Sequence, residues 1–417
     1  MSARSRGRVA ASAAAFLGIL LVGLALRTVI TSISPLLDVI SAEVPLDGLT
    51  LGIIAAAPTL AYALSGVITP LIGRLLGLER AVILVLLVMV TGHAVRAVAV
   101  EPVGLLIATV VTLLASGVGN VLIPPLIKRH FPERIGIVTA VYVASLAISS
   151  AVPALVAVPL AEHIGWRASL WVWCVATVVA LIPWMVEARL SRARRDASEV
   201  FIGADAGAGS VDPAARMSTS RIAWSLVGLF AMCSFGGFSM LAWMPVIFVE
   251  WAGLDAMAAG SLLSLFAVCG FPIAILVPPI VDRVPTAIIP IIVIGMLSFV
   301  VGYGGLLLAP SAAPVIWVLA LGMGSLPYPL AFTLIGVRTR SAGTALRLSG
   351  FVQAVGYVLA AVGPFFVGAL YDLTGTWQVP LIFLMTAVLL AVPAVFVLGR
   401  PGFVEDEIIP RATRIHG

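Results

Sequence analysis

One lysine, Lys128, stands in a chain of 417 residues, and charged residues of all kinds make up only 10%. A phosphate-cradling loop of the Gly-x-x-x-x-Gly-Lys-Ser/Thr form needs a lysine, and Lys128 follows Leu126-Ile127 in an apolar run, which excludes ATP hydrolysis. Histidines number 4 and cysteines 3. Cys174, Cys233 and Cys269 fall inside apolar runs without metal or redox spacing, so no disulfide framework is implied. His-Glu-x-x-His, clustered His/Cys ligands and a Gly-x-Ser-x-Gly elbow are missing, as are the acidic pairs of a membrane-embedded, metal-dependent transferase. The expectation is no enzyme, no cofactor and no metal. A net charge of +5 raises the question of nucleic acid, but the basic residues are dispersed and form no patch with interleaved aromatics.

What the chain does have is apolar sequence. Hydrophobic residues make up 61% and the mean hydropathy is +1.16, far from a soluble composition. Twelve stretches of spanning length follow one another, at roughly 11–40, 50–76, 81–100, 103–127, 135–161, 166–187, 221–249, 257–281, 286–309, 313–336, 344–371 and 376–399. Each is expected to be helical, because a lipid-exposed backbone must satisfy its own hydrogen bonds. The first is too long for a signal-peptide core and lacks a small-residue cleavage site, so it is expected to stay attached.

Basic residues set the orientation. With the N-terminus inside, 21 of the 24 arginines and lysines fall in cytoplasmic segments; Arg96 and Arg167 lie outside and Arg27 in the membrane. Both termini are then cytoplasmic in a multi-pass protein of the cytoplasmic membrane. The longest polar segment, 188–220, reads as a flexible linker between six-helix halves at 1–187 and 221–400, with a tail at 401–417. An internal repeat supports the division: Pro153 and Trp166, and again Pro364 and Trp377, are 13 residues apart, and the same offset of 211 carries Arg129 onto Arg340. The fold class is an all-α integral membrane protein of 12 transmembrane helices in two pseudo-symmetric six-helix halves, as expected of a secondary transporter.

Arg27 is the residue that most constrains function. A charge inside a span costs roughly 2.5 to 3.5 kcal/mol on insertion scales, so such residues face a partner, a cavity or a substrate. Arg27, Thr31, Ser34 and Asp38, spaced 4, 3 and 4, form one helical face expected to point at the bundle interior. No Asp or Glu sits centrally in a span, and Asp38 lies 11 residues, about 16 Å, along the helix. Arg27 is therefore read as a contact for an anionic or strongly polar ligand, with a structural arginine as the alternative.

Uncharged polar residues recur at helical spacing: Thr59, Tyr62, Ser65 and Thr69 on span two; Tyr142, Ser145 and Ser149 on span five; Gln353 and Tyr357 on span eleven. They suit a small polar solute, although interhelical bonding or close packing explains any single Ser or Thr as well. Asn120 lies in the inner half of span four. Lys128 marks the inner boundary of that span or attracts an anion at the cytoplasmic mouth, and Arg347 has the same two readings at the start of span eleven. Trp243 is an aromatic wall or gate, or else a lipid-interface anchor. His93 and Arg96 share a face of span three and are read as mainly structural.

Gly73-Arg74-Leu75-Leu76-Gly77-Leu78-Glu79-Arg80, echoed by Val281-Asp282-Arg283, resembles a degraded loop signature of the major facilitator superfamily. Leu26-Arg27-Thr28-Val29-Ile30-Thr31-Ser32, Gly119-Asn120-Val121-Leu122-Ile123-Pro124, Gly165-Trp166-Arg167, Leu241-Ala242-Trp243-Met244-Pro245 and Arg347-Leu348-Ser349-Gly350-Phe351-Val352-Gln353 with Tyr357 are similar to its cyanate and 2-nitroimidazole permease branch. Thr28, where a proline is common after the arginine, and Pro-Tyr-Pro at 327–329 depart from that branch near the expected cavity. The resemblance implies an alternating-access permease for a small organic anion, cyanate-like, with export of nitroimidazole-like drugs as the alternative. Arg27, Thr31, Tyr62, Asn120, Tyr142, Trp243, Gln353 and Tyr357 are the expected substrate residues. Lys128, Arg347, Arg74, Asp282 and Arg283 are expected at the cytoplasmic mouth or gate. The expected partners are a small-molecule substrate and the lipid bilayer. The chain is expected to act as a monomer, with proton coupling left open because the usual intramembrane carboxylate is missing. A membrane-embedded receptor or enzyme is the reading from another class.

Overall fold

The computed structural model describes residues 3–46, 48–198 and 217–408, and every regular element among them is helical. Twelve stretches, from Ser12–Leu36 to Gln378–Val397, are long and apolar enough to cross a membrane. Parts of the expected linker and tail, 199–216 and 409–417 with Arg216, Arg411 and Arg414, lie outside the described residues. So do the side chains of Arg4, Arg6, Arg8, Asp38, Arg192, Arg194 and Arg195.

The chain forms two compact units, Met1–Pro132 with Ser145–Met217, and Glu133–Ala144 with Ser218–Gly417. The first contains α1 (Ala3–Leu26), α2 (Thr28–Thr31), α3 (Leu37–Ser41), α4 (Gly48–Leu76), α5 (Leu78–Val98), α6 (Pro102–His130), most of α7 (Ile135–Ile164) and α8 (Trp166–Ser198). The pattern on α4 shows how such a bundle is specified. Leu60, Leu64, Val67, Leu71 and Leu75 are exposed, whereas Tyr62, Ser65 and Thr69 are buried. Apolar side chains face lipid and the polar stripe faces protein, where hydroxyls find carbonyls: Ser65 Oγ donates to Ala61 O at 2.6 Å and to Leu114 O of α6 at 2.8 Å.

Call the side of the membrane next to residues 188–220 the linker side. On the far side of the first unit, Ile33, Leu36, Ile40, Val44, Leu105, Trp166 and Leu170 make one buried cluster. Gly165, at φ 83°, reverses the chain into Trp166 in a backbone conformation that residues with a Cβ rarely adopt. Arg167 then lies 4.2 Å over the Trp166 ring and pairs with Glu43. That hydrogen bond from Arg167 holds the exposed Glu43 carboxyl below the ordinary carboxylate range.

One expectation is overturned here. Span one is not a continuous helix: it stops at Leu26, resumes over Thr28–Thr31, and passes through a 3-10 turn at Ser34–Leu36 before α3. The face expected to run from Arg27 through Ser34 is broken with it, and Ser34 is exposed, its hydroxyl turned back to Ile30 O at 3.1 Å. Thr28, Thr31 and Ser34 each bond a carbonyl three or four residues earlier, which competes with the helical ladder, and Pro35 has no N–H to continue it.

The second unit contains α9 (Arg221–Glu250), α10 (Ala256–Arg283), α11 (Ile288–Leu308), α12 (Pro314–Met323), α13 (Pro327–Val337), α14 (Ala342–Thr374), α15 (Gln378–Ala387), α16 (Val392–Val397) and α17 (Val404–Ile408). Span ten is interrupted at 324–326, just before the Pro-Tyr-Pro segment, because Pro327 and Pro329 supply no N–H to the ladder. On the far side Gly375, at φ 65°, leads to buried Trp377. Its Nε1 donates to Glu250 Oε2 at 2.9 Å, and Tyr371 OH donates to the same oxygen at 2.7 Å.

On the linker side, α17 is a strap that ties two helix starts together. Glu405 Oε1 accepts from the backbone N–H of Arg340 at 2.8 Å and of Ser341 at 3.3 Å, and Asp406 takes both arms of the Arg340 guanidinium at 2.8 and 3.0 Å. Glu407 Oε2 accepts from Ser220 Oγ at 2.6 Å and from Ile222 N at 3.1 Å. Three successive acids thus sit at the positive ends of α9 and α14, where a helix has N–H groups without internal acceptors.

Candidate substrate site

The break in span one builds the first unit's polar centre. Arg27 has φ −87° and ψ −13° between the two helical pieces. The backbone groups released around it are taken by side chains from other helices. Ser116 Oγ of α6 donates to Leu26 O at 2.5 Å, the Arg27 N–H donates to Ser149 Oγ of α7 at 3.3 Å, and Arg96 Nη2 of α5 donates to Val29 O at 3.1 Å. Thr31 Oγ1 donates to Ser149 O at 3.1 Å.

The Arg27 guanidinium lies over the Tyr62 ring, 5.3 Å from its centroid. Tyr62 is held in turn by its hydroxyl, 2.8 Å from Ser116 Oγ. Ser116 spends its proton on Leu26 O, so Tyr62 is the donor. The ring's quadrupole attracts a guanidinium over its face, and Arg is the side chain that binds a planar anion through two parallel bonds. Arg27 is half-buried, whereas Tyr62 and Ser116 are buried, so the charge is the accessible member of the group.

Arg27, Thr31 and Tyr62 therefore come together. Asn120 is buried on α6, one turn beyond Ser116. Lys128 is half-buried near the linker-side end of α6, and Arg74 is exposed at the end of α4. Beside them Glu79, His130 and Glu187, far apart in sequence, bring ligand atoms within 4.8 Å of one another. Arg129 Nε pairs with Glu79 Oε1 at 3.1 Å and His130 Nε2 lies 3.2 Å from the same oxygen, so these contacts tie the ends of spans three and four.

In the second unit the expected residues meet an aromatic cluster. Tyr142, on the part of α7 that packs with this unit, has its ring 6.1 Å from Phe332. Phe230 lies 5.9 Å from Phe332, 5.4 Å from Tyr328 and 5.0 Å from Tyr357. Gln353 is buried one turn before Tyr357, and its Nε2 donates to Ser349 Oγ at 2.9 Å. Trp243 stands apart from this cluster: its Nε1 donates to Pro364 O at 2.8 Å and its ring lies 5.8 Å from Trp377. Arg347 is half-buried, and Asp282 and Arg283 are exposed at the end of α10.

Sequence reasoning missed Ser116, the role of Arg96, and Phe230, Tyr328 and Phe332. Ser116 had a signal, lying four residues before Asn120 among Gly117 and Gly119. The phenylalanines had none, since they are indistinguishable from lipid-facing apolar residues until the helices are packed.

The sequence pattern of the Major Facilitator Superfamily matches residues 15–361. The chain is 32% identical over 396 residues to the uncharacterized transporter YycB of Bacillus subtilis (strain 168), covering 93% of this chain and 94% of that one. It is 31% identical over 382 residues to the 2-nitroimidazole transporter of Escherichia coli (strain K12), covering 87% and 90%. To the cyanate transport protein CynX of the same organism it is 25% identical over 361 residues, covering 86% and 90%. The crystal structure of the superfamily transporter FucP shares the fold, with a TM-score of 0.66 at 12% identity, over 93% of this chain and 98% of that one. The chain belongs to the Major Facilitator Superfamily and is a secondary transporter of small solutes in the branch that includes the 2-nitroimidazole and cyanate transporters.

Proposed function

We propose that this transporter carries a small organic anion, cyanate-like in size and charge, across the cytoplasmic membrane by alternating access, with Arg27 as the substrate contact. The observation that carries the reading is the half-buried Arg27 guanidinium, held over Tyr62 at a break whose backbone groups are already satisfied by Ser116, Ser149 and Arg96. Thr31, Tyr62 and Asn120 line the same unit, and Tyr142, Gln353 and Tyr357 supply hydrogen-bonding and aromatic surface. Lys128, Arg347, Arg74, Asp282 and Arg283 act at the mouth, and Trp243 packs as a wall. The protein works as a monomer, with both termini and the 188–220 linker inside.

A second reading, export of a neutral azole such as a nitroimidazole, is favoured by the Phe230, Tyr357 and Phe332 cluster and by the 31% identity to the 2-nitroimidazole transporter. Ligand-induced thermal stabilisation separates the two, since a ligand that prefers the folded state raises its melting temperature by mass action. Arg27→Gln is expected to abolish the shift given by anions and to spare most of that given by azoles. Unchanged shifts with every ligand in a well-folded Arg27→Gln protein would leave Arg27 as scaffold. Uptake of radiolabelled weak acids and azoles into proteoliposomes then identifies the substrate.

A further inference from the structure

Among the described residues of the first unit the best-buried charge is Arg96, at 0% exposure on the third span, beside the equally buried His93. A guanidinium in an apolar bundle is costly, so what it does with its donors is informative. Its one hydrogen bond among the described residues goes to Val29 O, two residues past Arg27. In an unbroken helix that carbonyl would bond four residues on, but the ladder of α2 ends at Thr31 and the chain turns at Ile33–Leu36.

We propose that Arg96 is a positioning residue for substrate binding: it fixes the far lip of the span-one break and so sets where the Arg27 guanidinium lies. Ser116 holds the carbonyl one residue before Arg27, and Arg96 holds the carbonyl two residues after it. Both come from one rigid wall, because Gly92 lets α5 close against Thr112 of α6 where any larger residue would collide. With both lips anchored to that wall, rotation of the Arg27 backbone is blocked and the guanidinium stays over Tyr62. Arginine suits the role because its planar fork reaches across from a neighbouring helix with the donor pre-oriented, which lysine does not provide.

The inference rests on Arg27 contacting substrate, and the test separates the two ideas. Dissociation constants for cyanate are measured on purified wild type, Arg27→Lys, Arg96→Lys and the double variant, with hydrogen exchange followed by mass spectrometry on peptides covering residues 27–33. Arg96→Lys is expected to weaken binding about tenfold in the wild-type background and about twofold or less in Arg27→Lys, the non-additivity of residues that act through one another. It is also expected to speed exchange at residues 28–33 while leaving peptides of the second unit unchanged, which general destabilisation would not do. Additive losses, or unchanged exchange at 28–33, would overturn the proposal. If Arg27→Lys leaves anion binding intact while Arg96→Lys loosens residues 28–33, the clamp is real and the substrate reading is what fails. If Arg96→Lys does not fold, Arg96→Gln, which keeps a neutral donor, is carried through the same cycle with the same expected and overturning results.

Discussion

The two units, set side by side at the sequence offset of 211, solve different problems. A displacement of 211 residues carries Arg27 onto Phe238, Tyr62 onto Ile273, Arg96 onto Leu307, Ser116 onto Pro327 and Ser149 onto Ala360. Every side chain that supports the broken span has an apolar counterpart, and the counterpart span, Arg221–Glu250, is an unbroken helix. The far-side seals, by contrast, are alike: a glycine of positive φ, a buried tryptophan and a carboxylate, as Gly165, Trp166 and Glu43 or Gly375, Trp377 and Glu250. A charge in a membrane bundle requires backbone groups, hydroxyls and a break to expose it; an aromatic surface requires only close packing. The hydrogen bonds that support a broken span are thus gathered in the first unit, while each unit keeps a far-side seal with its own partners, Arg167 for Glu43 and Tyr371 with Trp377 for Glu250.

The sharpest way to break this comparison is to exchange the consequences of Arg27 and Phe238. Arg27→Gln is expected to lower anion affinity about 100-fold, the loss of two charge-assisted bonds, while Phe238→Leu changes it less than about threefold; binding titrations decide it. Similar losses at both positions would mean that the units share the charged role. Tyr357→Leu, which removes the ring against Phe230, should lower stability by about 1 to 2 kcal/mol and azole affinity several-fold, with anion uptake little changed. Lys128→Ala should reduce initial uptake rates about two- to fivefold at matched surface expression, well short of Arg27→Ala, because a charge at the mouth steers without fixing the ligand.

The smallest expected effect concerns the first seal. Glu43 has its folded pKa depressed by the bond from Arg167, so the stabilisation is present above the ordinary carboxylate value and is lost as pH falls through the folded value. Arg167→Gln should lower the melting temperature slightly at neutral pH, where the exposed pair is formed, and not at all once Glu43 is protonated, so that the decline below about pH 4.5 becomes shallower.

Spans were legible because length and hydropathy are properties of contiguous residues: α5, α6 and α9 begin and end close to the apolar runs that encode them. The break at Arg27 was not, since hydropathy weighs side chains and is blind to which carbonyls have lost their donors. Ser116 and Arg96 bond span one across 90 and 67 residues, and a local pattern holds no trace of such a pairing. Glu79, His130 and Glu187 were hidden for the same reason. Tyr142 illustrates a half-success: its chemistry was readable from the residue, but its grouping with Phe332 follows from the way the start of α7 packs.

The acidic strap at the chain's end has a consequence in time. Ser220 and Ile222 open span seven, yet the carboxylate that caps them belongs to Glu407, 185 residues later and beyond the last span. At synthesis rates of roughly 5 to 20 residues per second, the first turn of that helix waits on the order of 10 to 40 s for its acceptor. The second unit can enter the membrane span by span, but the starts of α9 and α14 are completed only after residues 405–407 have been made.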